Sequence, residues 1–300
     1  MLSSGDMVTY RDLLKYGRHI LAESDSHNAP VLLCAALGCG RADLYMKLDE
    51  RTDSAVAKTY LAMIDRRRGN EPVQYIVGSW GFMSLEFYVN ESVLIPRQDT
   101  EILTEHAIEA AKSLFQEELA LNKLKILDLC TGTGCVAVSL AHFLKGATVV
   151  GVDISSDAVD VARRNAKANK VGDRVEFMIC DVFDDESLNK LYLAVGNVDI
   201  LCSNPPYVPT NLIKELMPDV KDYEPSLALD GGEDGLDFYR RFSEVVLWRF
   251  VSDGGLAAFE VGAGQAGPVM EIMKKKFPDS GLYSVKDTSG VDRVVCLTTT

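Results

Sequence analysis

From Lys123 to the carboxyl end, short and almost unbroken apolar stretches alternate with amphipathic ones, and this alternation leaves few folds open. The stretches Lys125–Cys130, Thr148–Asp153, Val175–Cys180, Asp199–Ser203 and Leu256–Val261 are of strand length and rich in Val, Ile and Leu. Between them, Cys135–Leu144, Ser156–Asn169, Leu236–Phe250 and Gln265–Lys276 repeat apolar residues at helical spacing. A strand that is apolar at nearly every position must be covered on both faces, which predicts a parallel sheet between two layers of helices. Leu282–Lys286 and Arg293–Thr298 have no helix between them, so an antiparallel hairpin is expected at one edge.

The first part of the chain has a different period. Leu13, Leu14, Tyr16, Gly17, Ile20 and Leu21 make one helical stripe, and Pro30–Leu37, Asp43–Leu48 and Ser54–Ile64 follow as further helices, the last capped by Asp53 or Ser54. After Gly69-Asn70, the segments Val73–Val77, Gly81–Val89 and Ser92–Ile95 are β-branched and aromatic, broken at Gly78 and Asn90. They predict a β-hairpin joining two domains, followed by a helix capped by Asp99 or Thr100 and running through Ala111. The expected organisation is a helical bundle over residues 1–70, a hairpin linker over 71–95 and an α/β domain over 96–300.

Composition narrows the surroundings. No apolar run approaches the roughly 20 residues that span a bilayer, and Met1–Arg11 lacks the order of a secretory or transit signal. A cytoplasmic protein with no membrane contact is expected. Seven scattered cysteines beside four histidines read as reduced, buried thiols, so neither a metal nor a disulfide is expected. The formal net charge of −13 falls almost wholly beyond Asn90 and repels a phosphate backbone. The basic run Arg66-Arg67-Arg68 suits the last turn of a helix, where cations complement the helix dipole.

Two constellations carry chemistry. The first is Lys125-Ile-Leu-Asp-Leu-Cys-Thr-Gly-Thr-Gly134, an apolar strand running through a glycine turn into a helix, where the backbone can approach a ligand closely. Asp153, about 20 residues past the turn, stands where an acid accepts hydrogen bonds from ribose hydroxyls. The spacing Asp-x-x-x-Gly-x-Gly resembles methyltransferase motif I, with Asp128 anchoring the turn or contacting the methionine end of the cofactor. Asp181, at the end of the third strand, is expected to meet the adenine amino group, with Val182 or Phe183 covering the ring.

The second is Asn204-Pro205-Pro206-Tyr207. Consecutive prolines remove two backbone donors and fix φ, giving a rigid extended turn whose carbonyls lack local N–H partners. An amide NH₂ is a poor nucleophile because its lone pair is delocalised. The Asn204 side-chain oxygen and the Pro205 carbonyl could accept its two hydrogens and aim the nitrogen at a sulfonium methyl, with Tyr207 stacked on the planar group. Positioning and electrostatics then carry the reaction. An exocyclic adenine amine poses the same problem, so the tetrapeptide alone leaves glutamine and adenine open.

Longer segments point further. Glu71-Pro-Val-Gln-Tyr-Ile-Val-Gly78 with Phe82, Val93-Leu-Ile-Pro-Arg-Gln-Asp-Thr-Glu101, the tetrapeptide, and Tyr223-Glu-Pro-Ser-Leu-Ala-Leu-Asp-Gly-Gly-Glu-Asp-Gly-Leu-Asp-Phe-Tyr-Arg240 together resemble the peptide chain release factor glutamine methyltransferases (PrmC/HemK) over nearly the whole chain. The resemblance implies an α/β fold with a Rossmann-like class I methyltransferase sheet, a helical amino-terminal domain that recognises substrate, and a hairpin linker. It implies S-adenosylmethionine as cofactor, leaving S-adenosylhomocysteine. The implied substrate is the glutamine amide of the Gly-Gly-Gln loop in class I release factors, with no nucleic acid, and a monomer is expected. Carried over residue by residue, Asn204, Pro205, Pro206 and Tyr207 take the amide, Asn204 also bordering the cofactor. Thr131, Gly132, Thr133, Gly134 and Asp153 hold the cofactor, and Arg97 and Glu101 close the site or hold its linker. Gln98 and Cys130 stand where the family usually has proline and glycine, and Val182 where Trp or Leu can occur. A ribosomal-protein glutamine and a nucleic-acid adenine are the alternatives, the latter needing a basic surface and a base-flipping pocket.

Overall fold

Side-chain caps fix where the first helices start. Residues 9–299 are described by the structure, a computed structural model, so the leader-peptide reading of Met1–Arg11 falls largely outside them. Helix α1 (Tyr10–Ile20) opens with a capping box, in which Thr9 N–H donates to Asp12 Oδ2 at 3.0 Å while the Thr9 hydroxyl caps Asp12 N–H. Helices α2 (Ala29–Leu37) and α3 (Arg41–Lys47) follow, and α4 (Ser54–Arg68) is capped by the Asp53 carboxylate. Their inner faces meet in one core around Leu13, Leu33, Leu44, Tyr60 and Ile64.

One sequence expectation fails here. Val73–Val77 is not a strand but a short helix, α5, which buries Val73 and Ile76 in that same core. Pro72 presets the helical entry and Gly78, at φ 78°, supplies the left-handed exit, with its N–H on Gln74 O at 2.7 Å. Packing has overridden the β-preference of the Val, Tyr and Ile side chains. This unit runs to Ser79 and takes in Met217–Tyr223. Arg67 holds it together, donating to Asp25 at 2.8 and 2.9 Å, to Asp219 at 3.5 Å and to the carbonyls of Asn70 and Glu71. Arg66 pairs with Glu71 and Arg68 with Asp65, so each arginine of the basic run faces an acid.

The hairpin is shorter than expected: β1 (Ser79–Phe82) and β2 (Leu85–Tyr88) alone pair, and Ser92–Ile95 forms no strand. Asn90 ends the pairing by turning its side-chain oxygen onto Ser92 N–H. Helix α6 (Gln98–Leu114) starts two residues earlier than a cap at Asp99 would place it, because Arg97 stands at its N-cap.

After α7 (Gln116–Ala120) come β3 (Leu124–Leu129), α8 (Cys135–Phe143), β4 (Ala147–Asp153), α9 (Ser156–Ala168) and β5 (Val175–Ile179). Helix α10 (Asp185–Val195), capped by Asp184, was not foreseen from the sequence; β6 (Val198–Ser203) follows it. A short α11 (Pro218–Lys221) lies in the first unit. The expected helix over Leu236–Phe250 is divided into α12 (Asp237–Arg241), a π-helical turn at Phe242–Val246, and α13 (Leu247–Phe250). Strand β7 (Val251–Glu260), α14 (Ala266–Lys276), β8 (Gly281–Lys286) and β9 (Asp292–Thr298) complete the chain.

The sheet order is β5-β4-β3-β6-β7-β9-β8, parallel through β7 and antiparallel for the last two strands, as their patterning predicts. Its faces alternate residue by residue. Ile126, Ile200 and Cys202 join the layer of α6, α8 and α9, whereas Leu127, Leu129 and Leu201 join that of α10 and α12–α14. Seven cysteines are free; Cys34, Cys39 and Cys130 are only partly buried, the other four fully. No single helix among the described residues is long and apolar enough to cross a membrane.

The hairpin turn at Met83-Ser84 places two non-glycine residues at positive φ, 49° and 61°. Glu101 stabilises it by accepting Met83 N–H at 2.6 Å. Glu101→Ala is expected to cost about 1–3 kcal/mol, read as a lower urea midpoint; an unchanged midpoint would show that the turn holds itself.

Candidate active site

The sheet reverses its strand order beside β3, and the space beyond the ends of β3 and β6 is the ordinary ligand crevice of such a sheet. The chain leaves β3 in a turn with three residues at positive φ: Cys130 at 58°, Gly132 at 52° and Gly134 at 76°. A left-handed backbone costs an L-residue roughly 1–2 kcal/mol, so Cys130 sits where glycine would be unstrained. At Gly134 space matters too, since an added Cβ would lie 3.0 Å from that of Ala162.

Side chains from outside hold this turn. Asp128, 1% exposed, accepts the Thr131 hydroxyl at 2.5 Å and Ala137 N–H at 3.3 Å, tying the turn to the start of α8. Burial pushes the Asp128 carboxyl up to about 7 against these hydrogen bonds. Asp153 accepts Gly132 N–H at 2.9 Å through one oxygen and Ser155 N–H at 3.0 Å through the other. Burial raises the Asp153 carboxyl, and the N–H groups of Ser155, Gly132 and Ile154 oppose the rise. Asn165, fully buried on α9, donates to Thr133 O at 2.9 Å and exchanges both backbone hydrogen bonds with Tyr88 at the end of β2. Thr133 caps Cys135 N–H.

The turn opens onto a cavity of about 590 Å³, within the usual range for small-molecule sites. Asp128, Thr131, Gly132, Thr133, Asp153, Asp181, Val182, Phe183, Asn204 and Pro206 all line it. Gly134, Pro205 and Tyr207 do not. The Cβ that Gly132 lacks would meet nothing within 4 Å, so ligand atoms can come directly against its backbone. Asp181 accepts Phe183 N–H at 2.8 Å, a local turn that presents the Phe183 ring. Val182 is buried at 4% exposure with its carbonyl on Arg241, whereas Phe183 is 48% exposed and packs edge-on against Phe238 at 4.9 Å. Phe183 and Phe238 thus form the aromatic wall. The donor set (a carboxylate at Asp153, an aromatic wall and an open glycine backbone) fits a nucleoside-bearing ligand.

At the other side of the cavity Asn204 donates its side-chain N–H to the Thr100 hydroxyl at 3.0 Å, so its Oδ1 is the end left for a ligand. Tyr207 turns inward: its hydroxyl donates to Glu260 Oε1 at 3.4 Å and its ring packs on the core. Burial raises the Tyr207 hydroxyl above its ordinary value. Gln265 donates to Tyr207 O at 2.9 Å. Gly231 permits contact from the far side, because its Cβ would fall 2.8 Å from both Pro206 O and Tyr207 Cα. Arg97 donates to both Glu224 oxygens, at 2.8 and 2.7 Å, beside the cavity.

Several contributors escaped the sequence reading. Ser92, Val93 and Leu94 line the cavity although they read as part of a strand, Pro96 lines it as well, and Phe238 lies unmarked inside the long segment ending at Arg240. Asn165 and Glu260 carry no local signal, since their partners lie 77 and 53 residues away.

Asn165→Ala leaves the buried Thr133 carbonyl and two part-buried backbone groups of Tyr88 without this partner and is expected to cost about 1–3 kcal/mol, with weaker cofactor affinity in calorimetry; intact affinity would show the turn is held without it. Asp128 and Glu260, the latter also raised by burial to about 7, bind protons more tightly folded than unfolded. Their stabilising contribution is fully present below about pH 4 and is lost as pH rises through about 7. Melting curves from pH 5 to 8 should therefore fall more steeply for the native chain than for Glu260→Gln; parallel curves would contradict this.

A family model described as the PrmC N-terminal domain matches residues 12–78, and one described as a methyltransferase domain matches residues 121–225. The release factor glutamine methyltransferase of Geobacter sulfurreducens is 37% identical over 98% of each chain. That of Bacillus cereus is 35% identical over 95% of this chain and 97% of its own. Among solved structures, the hMettl16 catalytic domain in complex with MAT2A 3'UTR hairpin 1 superposes with a TM-score of 0.55, covering 83% of this chain and 82% of that one. At 14% identity this last likeness speaks to the fold alone.

Proposed function

We propose a function from one premise: this chain belongs to the release factor glutamine methyltransferases. It transfers a methyl group from S-adenosylmethionine to the side-chain amide nitrogen of a release factor glutamine. The finer reading places that glutamine in the Gly-Gly-Gln loop of class I release factors. The observation that carries this reading to the site is Asn204 at the cavity wall with its N–H turned onto Thr100 and its oxygen left for a ligand.

The cofactor supplies an electrophilic sulfonium methyl. Asp128, Thr131, Gly132, Thr133 and Gly134 shape the cradle, Asp153 takes the ribose, and Asp181 with Val182 and Phe183 takes the adenine, with Phe183 and Phe238 facing it. Asn204 Oδ1 and the Pro205 carbonyl accept the two N–H groups of the substrate amide. That draws electron density toward nitrogen and aims its lone pair, while Pro206 and Tyr207 keep the turn rigid. No base is needed beforehand, because the N–H becomes acidic only as the N–CH₃ bond forms and the S–CH₃ bond breaks to leave the neutral thioether, and the proton is then lost to water. Catalysis is orientation plus acceptors for developing positive charge.

The helical residues 1–70 dock the release factor, residues 71–95 link, and residues 96–300 carry the chemistry. The protein works in the cytoplasm as a monomer on protein rather than nucleic acid. The acidity beyond Asn90 and the pairing of each residue of Arg66–Arg68 with an acid support that choice.

Labelled S-adenosylmethionine, offered with purified release factor, ribosomal protein and plasmid DNA, tests the reading. Label should enter release factor and disappear when its Gly-Gly-Gln glutamine is replaced; label on DNA or ribosomal protein alone would overturn it. Asn204→Ala should lose about 10²–10³ in turnover, the scale for one preorganised hydrogen-bonding group, with cofactor affinity nearly intact. A matching collapse of cofactor affinity would refute its assignment to the amide.

A further inference from the structure

One face of a short helix grips the Asp181–Phe183 side of the cavity. Helix α12 carries Phe238 and Arg241 three positions apart, hence on the same face. Both reach the turn between β5 and α10 that holds Asp181, Val182 and Phe183. The Phe238 ring meets the Phe183 ring edge-on at 4.9 Å, and Arg241 Nε donates to the Val182 carbonyl at 2.8 Å. A second guanidinium nitrogen of Arg241 reaches Asp185, the first residue of α10, at 2.6 Å. Arg241 stands behind the cavity wall, and its side chain is 17% exposed.

The two Arg241 bonds differ in weight. The Asp185 side chain is 72% exposed, so water screens that ion pair and it contributes little. The bond to Val182 matters more, because a charged donor meets a neutral carbonyl in a partly buried place. The turn needs such an anchor. Its inner bonds, Phe183 N–H on Asp181 Oδ1 at 2.8 Å and Asp184 N–H on Asp181 O at 3.1 Å, are local. They set the curl of the turn but not its distance from the opposite wall. Cys180 N–H ties the near end to Asp153 O at 2.9 Å, and Arg241 ties the middle. The Phe183 ring, half of it exposed, is packed too little to fix its own place.

We propose that Arg241 is a positioning residue for the cofactor: by holding the Val182 carbonyl it keeps the Phe183 ring and the Asp181 carboxylate where the adenine lands. This rests on the adenine placement proposed above. The planar guanidinium spans both acceptors, whereas a lysine offers the charge at a single point.

Four variants test this: Arg241→Met, Arg241→Lys, Phe183→Ala, and the double variant combining Arg241→Met with Phe183→Ala. Calorimetry with S-adenosylhomocysteine gives affinity, and steady-state methylation of release factor gives kcat and KM. Arg241→Met should weaken S-adenosylhomocysteine and raise the KM for S-adenosylmethionine by about tenfold, the scale of one charged hydrogen bond. The kcat and the KM for release factor should stay within about threefold, since the sulfonium and amide ends are untouched. Arg241→Lys should regain part of the loss. In the Phe183→Ala background the loss caused by Arg241→Met should shrink by at least about threefold, because the ring that the arginine positions is gone.

Unchanged S-adenosylhomocysteine affinity in Arg241→Met would overturn the proposal. So would full additivity of the two substitutions, or a kcat that falls as far as the affinity, since either marks a packing role. Should Arg241→Met fail to fold, Arg241→Lys with and without Phe183→Ala decides by the same criteria. Native affinity in Phe183→Ala would overturn the adenine placement and this assignment with it, whereas a weakened Phe183→Ala beside an indifferent Arg241→Met overturns this assignment alone.

Discussion

The chain leaves β3 through Cys130, Gly132 and Gly134 at positive φ, and a turn of that kind cannot hold itself. Its N–H groups are spoken for: Thr131 bonds Val152 O at 2.9 Å, Gly132 bonds Asp153, and Gly134 bonds back to Thr131 O at 2.8 Å. Asp128 fixes it from below and Asn165 from the side. The cavity exists because this loop stays open against the collapse its apolar surroundings favour. Of the acids that fix it Asp128 is buried and Asp153 half-buried, and burial makes both resist ionisation.

The opposite wall is built on the same plan, with a rigid backbone gripped by distant groups. The segment after Tyr207 folds back on itself, Val208 N–H bonding Leu229 O and Gly231 N–H bonding Val208 O, each at 2.9 Å. Gly231 lies against the tetrapeptide and Gln265 clamps Tyr207 O. Arg97 anchors the base of this segment through Glu224, whose side chain is 1% exposed, so losing Arg97 would take a counter-charge away from a buried acid. The tetrapeptide is thus preorganised before any substrate arrives, which suits a reaction that depends on orientation.

Legibility in the sequence followed the range of the cause. The sheet, its edge hairpin, the glycine-type turn and the tetrapeptide were readable because period, spacing and backbone chemistry are local properties. Asp53 was readable as a cap for the same reason. Val73–Val77 misled because the bundle core, not the β-preference of its residues, decides its conformation. Ser92–Ile95 has strand-like residues but forms no strand, its start being bent into a turn in which Val93 N–H bonds Asn90 O at 3.2 Å. Tyr207 was expected to face the substrate and instead points at Glu260, a partner that only the register of β6 on β7 brings near. Phe183 over Val182 as the exposed ring could be settled only by burial.

The central claim is that one cavity holds the cofactor and the glutamine amide side by side, with the Asn204 oxygen facing the amide. A crystal structure with S-adenosylhomocysteine and a Gly-Gly-Gln peptide tests it most directly. The account predicts the nucleoside between Asp153 and Phe183, and the glutamine nitrogen within hydrogen-bonding reach of Asn204 Oδ1, roughly 3 Å, on the side facing the sulfur. A peptide bound away from Asn204, or an Asn204 amide presenting its nitrogen to the glutamine, would contradict it.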